Sequence, residues 1–262
     1  MVDAVGWPAA AASLSLVALA LVLAWAIGLR VGMEIAVASI RAAAQLLAVG
    51  LVFTAIFRSS SAWVWSWSWV VFMVIVAHRV VLRRASPAIE GLALPVAAAV
   101  AGSTAVSLAV VFGFGVLGYE PVAVVVMAGI TIGNAVPVTV LATTNGVELC
   151  QDHVGEIEAT LALGFTRRDV VRFFAPRAAR TALIPQIERT KVVGIIALPG
   201  AMTGLLLAGV EPVQAVVIQL LVMYLVLGSA TICVITMVTI VVRAAVGSDL
   251  VPATWLRADR AP

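Results

Sequence analysis

The residues best suited to chemistry gather in one polar stretch, Gln151 to Lys191, which holds seven of the sixteen basic residues of a 262-residue chain. Asp152, Glu156 and Glu158 come early in it and Arg167 and Arg168 late, an order that suits the dipole of a helix ending at Gly164. Thr166 followed by Asp169 three residues on reads as a capping-box restart, so the expected local structure is helix, glycine elbow, helix. On the second helix Val170, Phe173, Phe174 and Arg177 recur at three- and four-residue spacing and form an apolar stripe flanked by arginines. Such a stripe is covered either by a headgroup layer, as on an amphipathic helix lying on a membrane, or by a groove in a partner.

Catalytic and metal chemistry find little support elsewhere. His78 stands beside Arg79 and His153 beside Asp152, and neither has clean ligand spacing. Met202, Met223, Cys233 and Met237 read as packing in apolar helices rather than as soft-metal ligands, so the metal-binding residues stay unknown. Cys150 and Cys233 read as unpaired packing cysteines. No HExxH, paired-Asp or GxSxG arrangement occurs, and no catalytic residue is assigned. Lys191 is the single lysine and is not preceded by glycine, which excludes a GxxxxGK[ST] loop. If ATP drives this protein, a separate chain binds the ATP and its Mg.

The elements that must position these residues are membrane helices. With 63% hydrophobic residues, 11% charged residues and a mean hydropathy of +1.15, the composition is that of an all-α, polytopic integral membrane protein. Seven apolar segments are expected, near 10–29, 35–57, 62–82, 92–117, 121–145, 192–210 and 212–242. The first follows MVDAVGWP, which lacks the basic region of a secretory signal, so it is expected to remain as a membrane helix. Placing the N-terminus outside puts fifteen of the sixteen basic residues, Arg260 among them, toward the cytoplasm and leaves only Arg58 outside. The net charge of +3 therefore serves orientation rather than nucleic-acid binding. Trp63, Trp65, Trp67 and Trp69 open the third segment as an interfacial anchor, and the Gly/Pro turns GYEP and GVEP serve as short outer connections.

Some membrane positions break the apolar rule. Arg41 and Gln45 share one face of the second segment, Gly133-Asn134 and Pro137 are expected to interrupt the fifth, and Pro199-Gly200 the sixth. Broken or polar helices in lipid persist only when they face protein or water, which makes Arg41, Gln45, Asn134 and Met202 candidates for a transport pathway, with Glu188 at its cytoplasmic mouth. The competing reading is polar glue between helices.

EATLALG at Glu158–Gly164, with Pro176 beyond it, resembles the EAA loop of ATP-binding-cassette permeases. The second alanine of that motif is Thr160 here, and the ending is reduced to FFAP. More widely, SIRAAAQLLAVG at Ser39–Gly50, AGITIGNAVPV at Ala128–Val138 and the run from Ala179 to Leu227 resemble the FetB-type family of bacterial permeases, whose plant relatives are linked to aluminium tolerance. The resemblance implies one transmembrane permease domain over 1–262, with a cytoplasmic coupling segment near 150–180 docked on a separate ABC ATPase subunit. Glu158, Gly164, Thr166, Arg167, Arg168 and Asp169 would carry the coupling. It further implies a second copy of the chain, a multi-pass location in the plasma (inner) membrane with the C-terminus cytoplasmic, and export of iron or a related metal ion. The alternatives are an ABC permease for a non-metal substrate and a membrane-embedded lipid-modifying enzyme.

Overall fold

The structure is a computed structural model that describes residues 7–85, 89, 91–247 and 249–257. Arg260 lies outside the described residues. The described chain is helical: α1 (Trp7–Ala26), α2 (Gly32–Arg58), α3 (Ala62–Arg84), α4 (Ala93–Gly113), α5 (Pro121–Asp152), α6 (Val154–Ala162), α7 (Arg167–Lys191), α8 (Gly200–Leu207) and α9 (Pro212–Ala244), followed by a 3-10 turn at Thr254–Arg257. Among the described residues α2, α3, α4, α5 and α9 are long and apolar enough to cross a membrane, and the apolar part of α1, Ala11–Ala26, is shorter.

The sixth apolar segment departs from expectation. Instead of a spanning helix, residues 192–199 form turns with a bridge between Val193 and Ala197, and only the eight-residue α8 follows. The break at Pro199-Gly200 is therefore real, since Gly200 begins α8. The expected interruption of the fifth segment is not. Helix α5 runs 32 residues straight through Gly133, Asn134 and Pro137. A helical proline removes one N–H and crowds the carbonyl four residues back, here that of Gly133. Side chains around the site supply extra donors: Thr131 Oγ1 to Met127 O at 2.8 Å, Asn134 Nδ2 to Ile130 O at 2.8 Å and Thr139 Oγ1 to Ala135 O at 2.6 Å. These bonds satisfy the polar side chains of α5 within the helix itself, though none of them reaches the Gly133 carbonyl.

The chain divides into two compact units. One comprises Met1–Trp65 and Gly200–Ala215. Here α1 packs along α2, and the turn between them is closed by Gly28 at φ +69°, with Leu29 N–H donating to Ala24 O at 2.9 Å. Only Ile56 of α2 is buried.

The other unit comprises Ser66–Pro199 and Val216–Pro262 and holds two apolar cores. One core joins α3, α4, α5 and α9 through Val70, Val100, Val124, Ala128 and Val226. At its rim Trp67 Nε1 donates to the Tyr119 hydroxyl at 3.3 Å, which brings the tryptophan-rich start of α3 to the GYEP turn. The second core gathers the far ends of α5 and α9 with α6 and α7, through Ala142, Cys150, Ile157, Phe174 and Val241. A C-terminal strap closes over it. After α9 the chain turns back through a Val246–Pro252 bridge, Ala253 N–H donates to Ala245 O at 2.9 Å, and Leu256 is buried.

Candidate functional site: the α6–α7 elbow and the polar helix beyond it

The elbow forms as its residue types require. Helix α6 ends with Gly164 N–H on Leu161 O at 3.0 Å and Phe165 N–H on Thr160 O at 3.3 Å, and Gly164 takes φ +86°. A side chain at 164 would meet nothing within 4 Å, so glycine is needed for its backbone angle and not for space. Helix α7 then starts at the cap anticipated for it, with Thr166 N–H and Oγ1–H both donating to Asp169 Oδ2, at 2.8 and 2.7 Å. The Thr166 hydroxyl, and then its backbone N–H, hold the Asp169 carboxyl below the ordinary carboxylate range. A depressed folded value favours the folded cap above the unfolded pKa, and that contribution disappears only as pH falls through the lowered value. The cap is thus ionised at any neutral pH.

Charge pairs bind the elbow to its surroundings. Arg177 reaches Glu156 at 3.3 Å and lies over the Phe174 ring, 5.4 Å from its centroid, while His153 Nε2 stands 3.8 Å from the same carboxylate. Glu158 is paired with Arg257 of the C-terminal strap. Gln151 Nε2 donates to Trp255 O at 3.3 Å and Trp255 Nε1 to Ala244 O at 3.3 Å, so the strap is fastened on both sides. No sequence signal pointed to Arg257, because it meets Glu158 across ninety-nine residues of chain.

The stripe on α7 divides differently from its sequence reading. Val170 and Phe174 are buried and continue at four-residue steps through Ala178, Ala182 and Gln186, all turned into the protein. This face packs along α5, and its alanines let the two backbones approach closely. Neither a headgroup layer nor a partner's groove covers it. Phe173, by contrast, is exposed and meets Phe165 edge to face at 5.8 Å. With Leu163, 78% exposed, they make an apolar tip on the otherwise charged elbow. Leu163 was legible as part of the EATLALG motif, whereas nothing in the sequence singled out Phe165.

Helix α7 is also longer than the expected coupling segment, ending at Lys191 rather than near 180. It runs antiparallel to α5: the Phe174 ring lies 6.3 Å from that of His153, just past the end of α5, and Arg189 Nη1 donates to Asn134 Oδ1 at 3.4 Å. Asn134 lies 18 residues before Asp152, so α7 follows α5 for about 27 Å at 1.5 Å per residue. Glu188 pairs with Lys191 at 2.7 Å in the same last turn. The structure thus gathers Asn134, Glu188 and Arg189. Arg41 and Gln45, both exposed on α2, and Met202 on α8 belong to the other unit. Among the described residues no group of three or more His, Cys, Asp or Glu could hold a metal ion.

A family model described as "Uncharacterised protein family (UPF0014)" matches residues 7–246. The chain belongs to the UPF0014 family. Relatives across that family include the UPF0014 membrane protein STAR2 of Oryza sativa subsp. japonica, 34% identical over 84% of this chain and 77% of its own length. Protein ALUMINUM SENSITIVE 3 of Arabidopsis thaliana is 31% identical over 86% and 82% respectively. The probable iron export permease protein FetB of Escherichia coli (strain K12) is 32% identical over 48% of this chain and 49% of its own. No solved structure matches. Family membership and the five long apolar helices together make this a multi-pass membrane protein.

Proposed function

We propose that this UPF0014 protein is the membrane subunit of an ATP-driven transporter, working as a pair of identical chains with separate ATPase subunits that bind ATP and Mg. One observation carries the reading: α7 is a single helix that begins beside the exposed Leu163–Phe165–Phe173 tip and ends at Asn134, well inside the length of membrane helix α5. A tip of this kind, apolar on a charged elbow, suits burial in a groove of a soluble subunit. Movement of the tip would pass along a stiff helix to Asn134 and Glu188. Glu158, Gly164, Thr166, Arg167, Arg168 and Asp169 set the angle and the docking charge of that lever.

The far end of α7 suits a polar path. Glu188, Arg189 and Lys191 reach the level of an apolar span, where charged side chains stay only against protein or water-filled space. Asn134, with its carbonyl toward Arg189, and Glu188 are the residues we place on the path. Arg41, Gln45 and Met202 remain candidates on sequence grounds. The cargo we infer is iron or a related metal ion moved outward, which rests on the relative named as an iron export permease. The elbow and the arginines of the first turns of α7 would face the cytoplasm of the plasma (inner) membrane.

The test is co-expression with a candidate stand-alone ABC ATPase subunit, followed by purification through a tag on this chain. Gly164→Val, forced to a φ that costs a side-chain-bearing residue roughly 1–2 kcal/mol, is expected to lose the ATPase. Asn134→Ala is expected to retain it and lose metal-stimulated hydrolysis, whereas Gln45→Ala tests α2 in the same way. A wild-type chain that retains no ATPase, or a Gly164→Val chain that retains it with full stimulation, defeats the proposal.

A further inference from the structure

The start of α7 and the end of α9 enclose a groove of about 650 Å³ lined by Thr166, Arg167, Arg168, Val171, Thr239, Arg243 and Leu250. All seven lie in the larger unit. Three guanidinium groups line it and, among the described residues, no carboxylate does. Nor does any of the three arginines form an ion pair among the described residues, although Arg177, Lys191 and Arg257 of this unit do. Three like charges around one cavity repel one another, and the single Asp169 carboxylate bonded to Thr166 at its edge does not balance them.

The position of the groove narrows the ligand. Arg243 is the first charged residue after the uncharged run from Pro212 to Val242 of α9, a helix apolar enough to cross the membrane, so the groove stands where that apolar run ends. Headgroup phosphates lie at that level, and basic pockets between membrane helices are where anionic lipids are held. The wall adds a second constraint. Val171 comes from α7, and Leu250 stands exposed at φ +60° in the turn of the C-terminal strap, where Gly247 N–H donates to Val251 O at 2.7 Å. A small soluble phosphate has no use for these apolar surfaces, whereas a glycerol backbone and the top of an acyl chain do.

We propose that this groove binds the phosphate of an anionic glycerophospholipid, with Arg167, Arg168 and Arg243 forking onto its oxygens and Val171 and Leu250 along its glycerol and upper acyl carbons. The planar guanidinium suits bidentate phosphate contacts, and the hydroxyl of Thr239 offers a further donor, that of Thr166 being committed to Asp169. The lipid would tie the first turn of α7 to the last turn of α9, so that the elbow is set against the leaflet as well as against the protein. Binding requires neither an ATPase nor a cargo and stands or falls apart from the transporter reading.

The experiment is lipid retention by the purified full chain, delipidated in neutral detergent and titrated with phosphatidylglycerol or phosphatidylcholine, and read by native mass spectrometry. Phosphatidylglycerol is expected to be retained in preference to phosphatidylcholine. Arg243→Gln is expected to weaken phosphatidylglycerol by about fivefold, and Arg167→Gln/Arg168→Gln by more. Arg180→Gln, farther along α7 and outside the groove, should change nothing. Elution profile and melting temperature show that each variant is folded, and if one is not, the other decides. Equal retention of the two lipids, or unchanged phosphatidylglycerol retention in the folded groove variants, overturns the proposal. So does displacement of the lipid by an equal concentration of glycerol 3-phosphate, which would make this a site for a soluble phosphate.

Discussion

Helices α2 and α5 have nearly the same hydropathy, and each carries polar residues in mid-span, yet they bury very different surfaces. None of the most apolar stretch of α2 is buried within its unit, whereas 44% of that of α5 is. The reason lies in their faces. Helix α5 offers Ala128, Ala135, Ala142 and Gly146 to its neighbours, small residues that let helices meet closely, and threonine hydroxyls that return to its own carbonyls. Helix α2 turns large side chains outward, with Leu46 at 74% and Leu51 at 75% exposure. Apolarity alone makes a helix enter a membrane. Small residues and satisfied polar groups decide whether protein or something else covers it there, and for α2 we infer lipid or a second copy of the chain.

The sharpest way to break this contrast is to truncate one large side chain in each region. Phe174, buried against α5, is expected to cost about 3–5 kcal/mol as Phe174→Ala, because a cavity opens among residues that cannot collapse into it. Leu51→Ala on α2 should stay within roughly 0.5 kcal/mol in the detergent-solubilised single chain. Both are read from unfolding transitions in the same detergent. A large loss at Leu51 would mean that α2 is packed after all.

Sequence reasoning reached the elements with local causes and missed those with distant ones. The elbow at Gly164 and the cap at Thr166 and Asp169 follow from contacts within a few residues, and all appear where spacing put them. The continuation of α7 along α5 was hidden because its arginines read as a soluble stretch, while the buried residues at four-residue steps, Ala178 and Ala182 among them, carry too little hydrophobicity to stand out. Pro137 was misread because a proline costs a helix one bond without ending it where the turns on either side are packed, as buried Ala135 and Thr139 are here. The C-terminal strap pairs with residues about a hundred positions away and leaves no periodic trace.

Glycine substitutions sharpen the contrast at smaller scale. A Cβ at Gly146 would lie 3.0 Å from Val241 Cγ1 and 3.3 Å from its Cβ, and Val241 is fully buried and stiff at χ1, so it cannot move aside. Gly146→Val is expected to destabilise by about 1–3 kcal/mol through overpacking. On α2 nothing lies within 4 Å of Gly50. There Gly50→Ala should gain about 0.5–1 kcal/mol by restricting the unfolded backbone. Opposite signs in thermal unfolding would support the packing account, and a loss at both positions would refute it.

The smallest expected effect distinguishes a stabilising pair from a positioning one. Glu158 and Arg257 hold the strap to α6, but their side chains are 39% and 70% exposed, where solvent screens charge. A double-mutant cycle with Glu158→Gln and Arg257→Gln is therefore expected to give a coupling of only about 0.2–1 kcal/mol. The strap has other fastenings, in the Trp255 and Gln151 bonds and in buried Leu256, so either variant should keep the fold. What the pair fixes is the azimuth of a nine-residue helix that has a single fully buried side chain, Ile157. If Glu158 sets the angle at which the Leu163–Phe165–Phe173 tip is offered, then Arg257→Gln weakens ATPase retention while melting hardly moves, and the charge reversal Glu158→Arg with Arg257→Glu restores it. Should Glu158→Gln lose the ATPase while Arg257→Gln keeps it, the glutamate itself would be touching the partner, and the strap would be no more than a cover for the core beneath it.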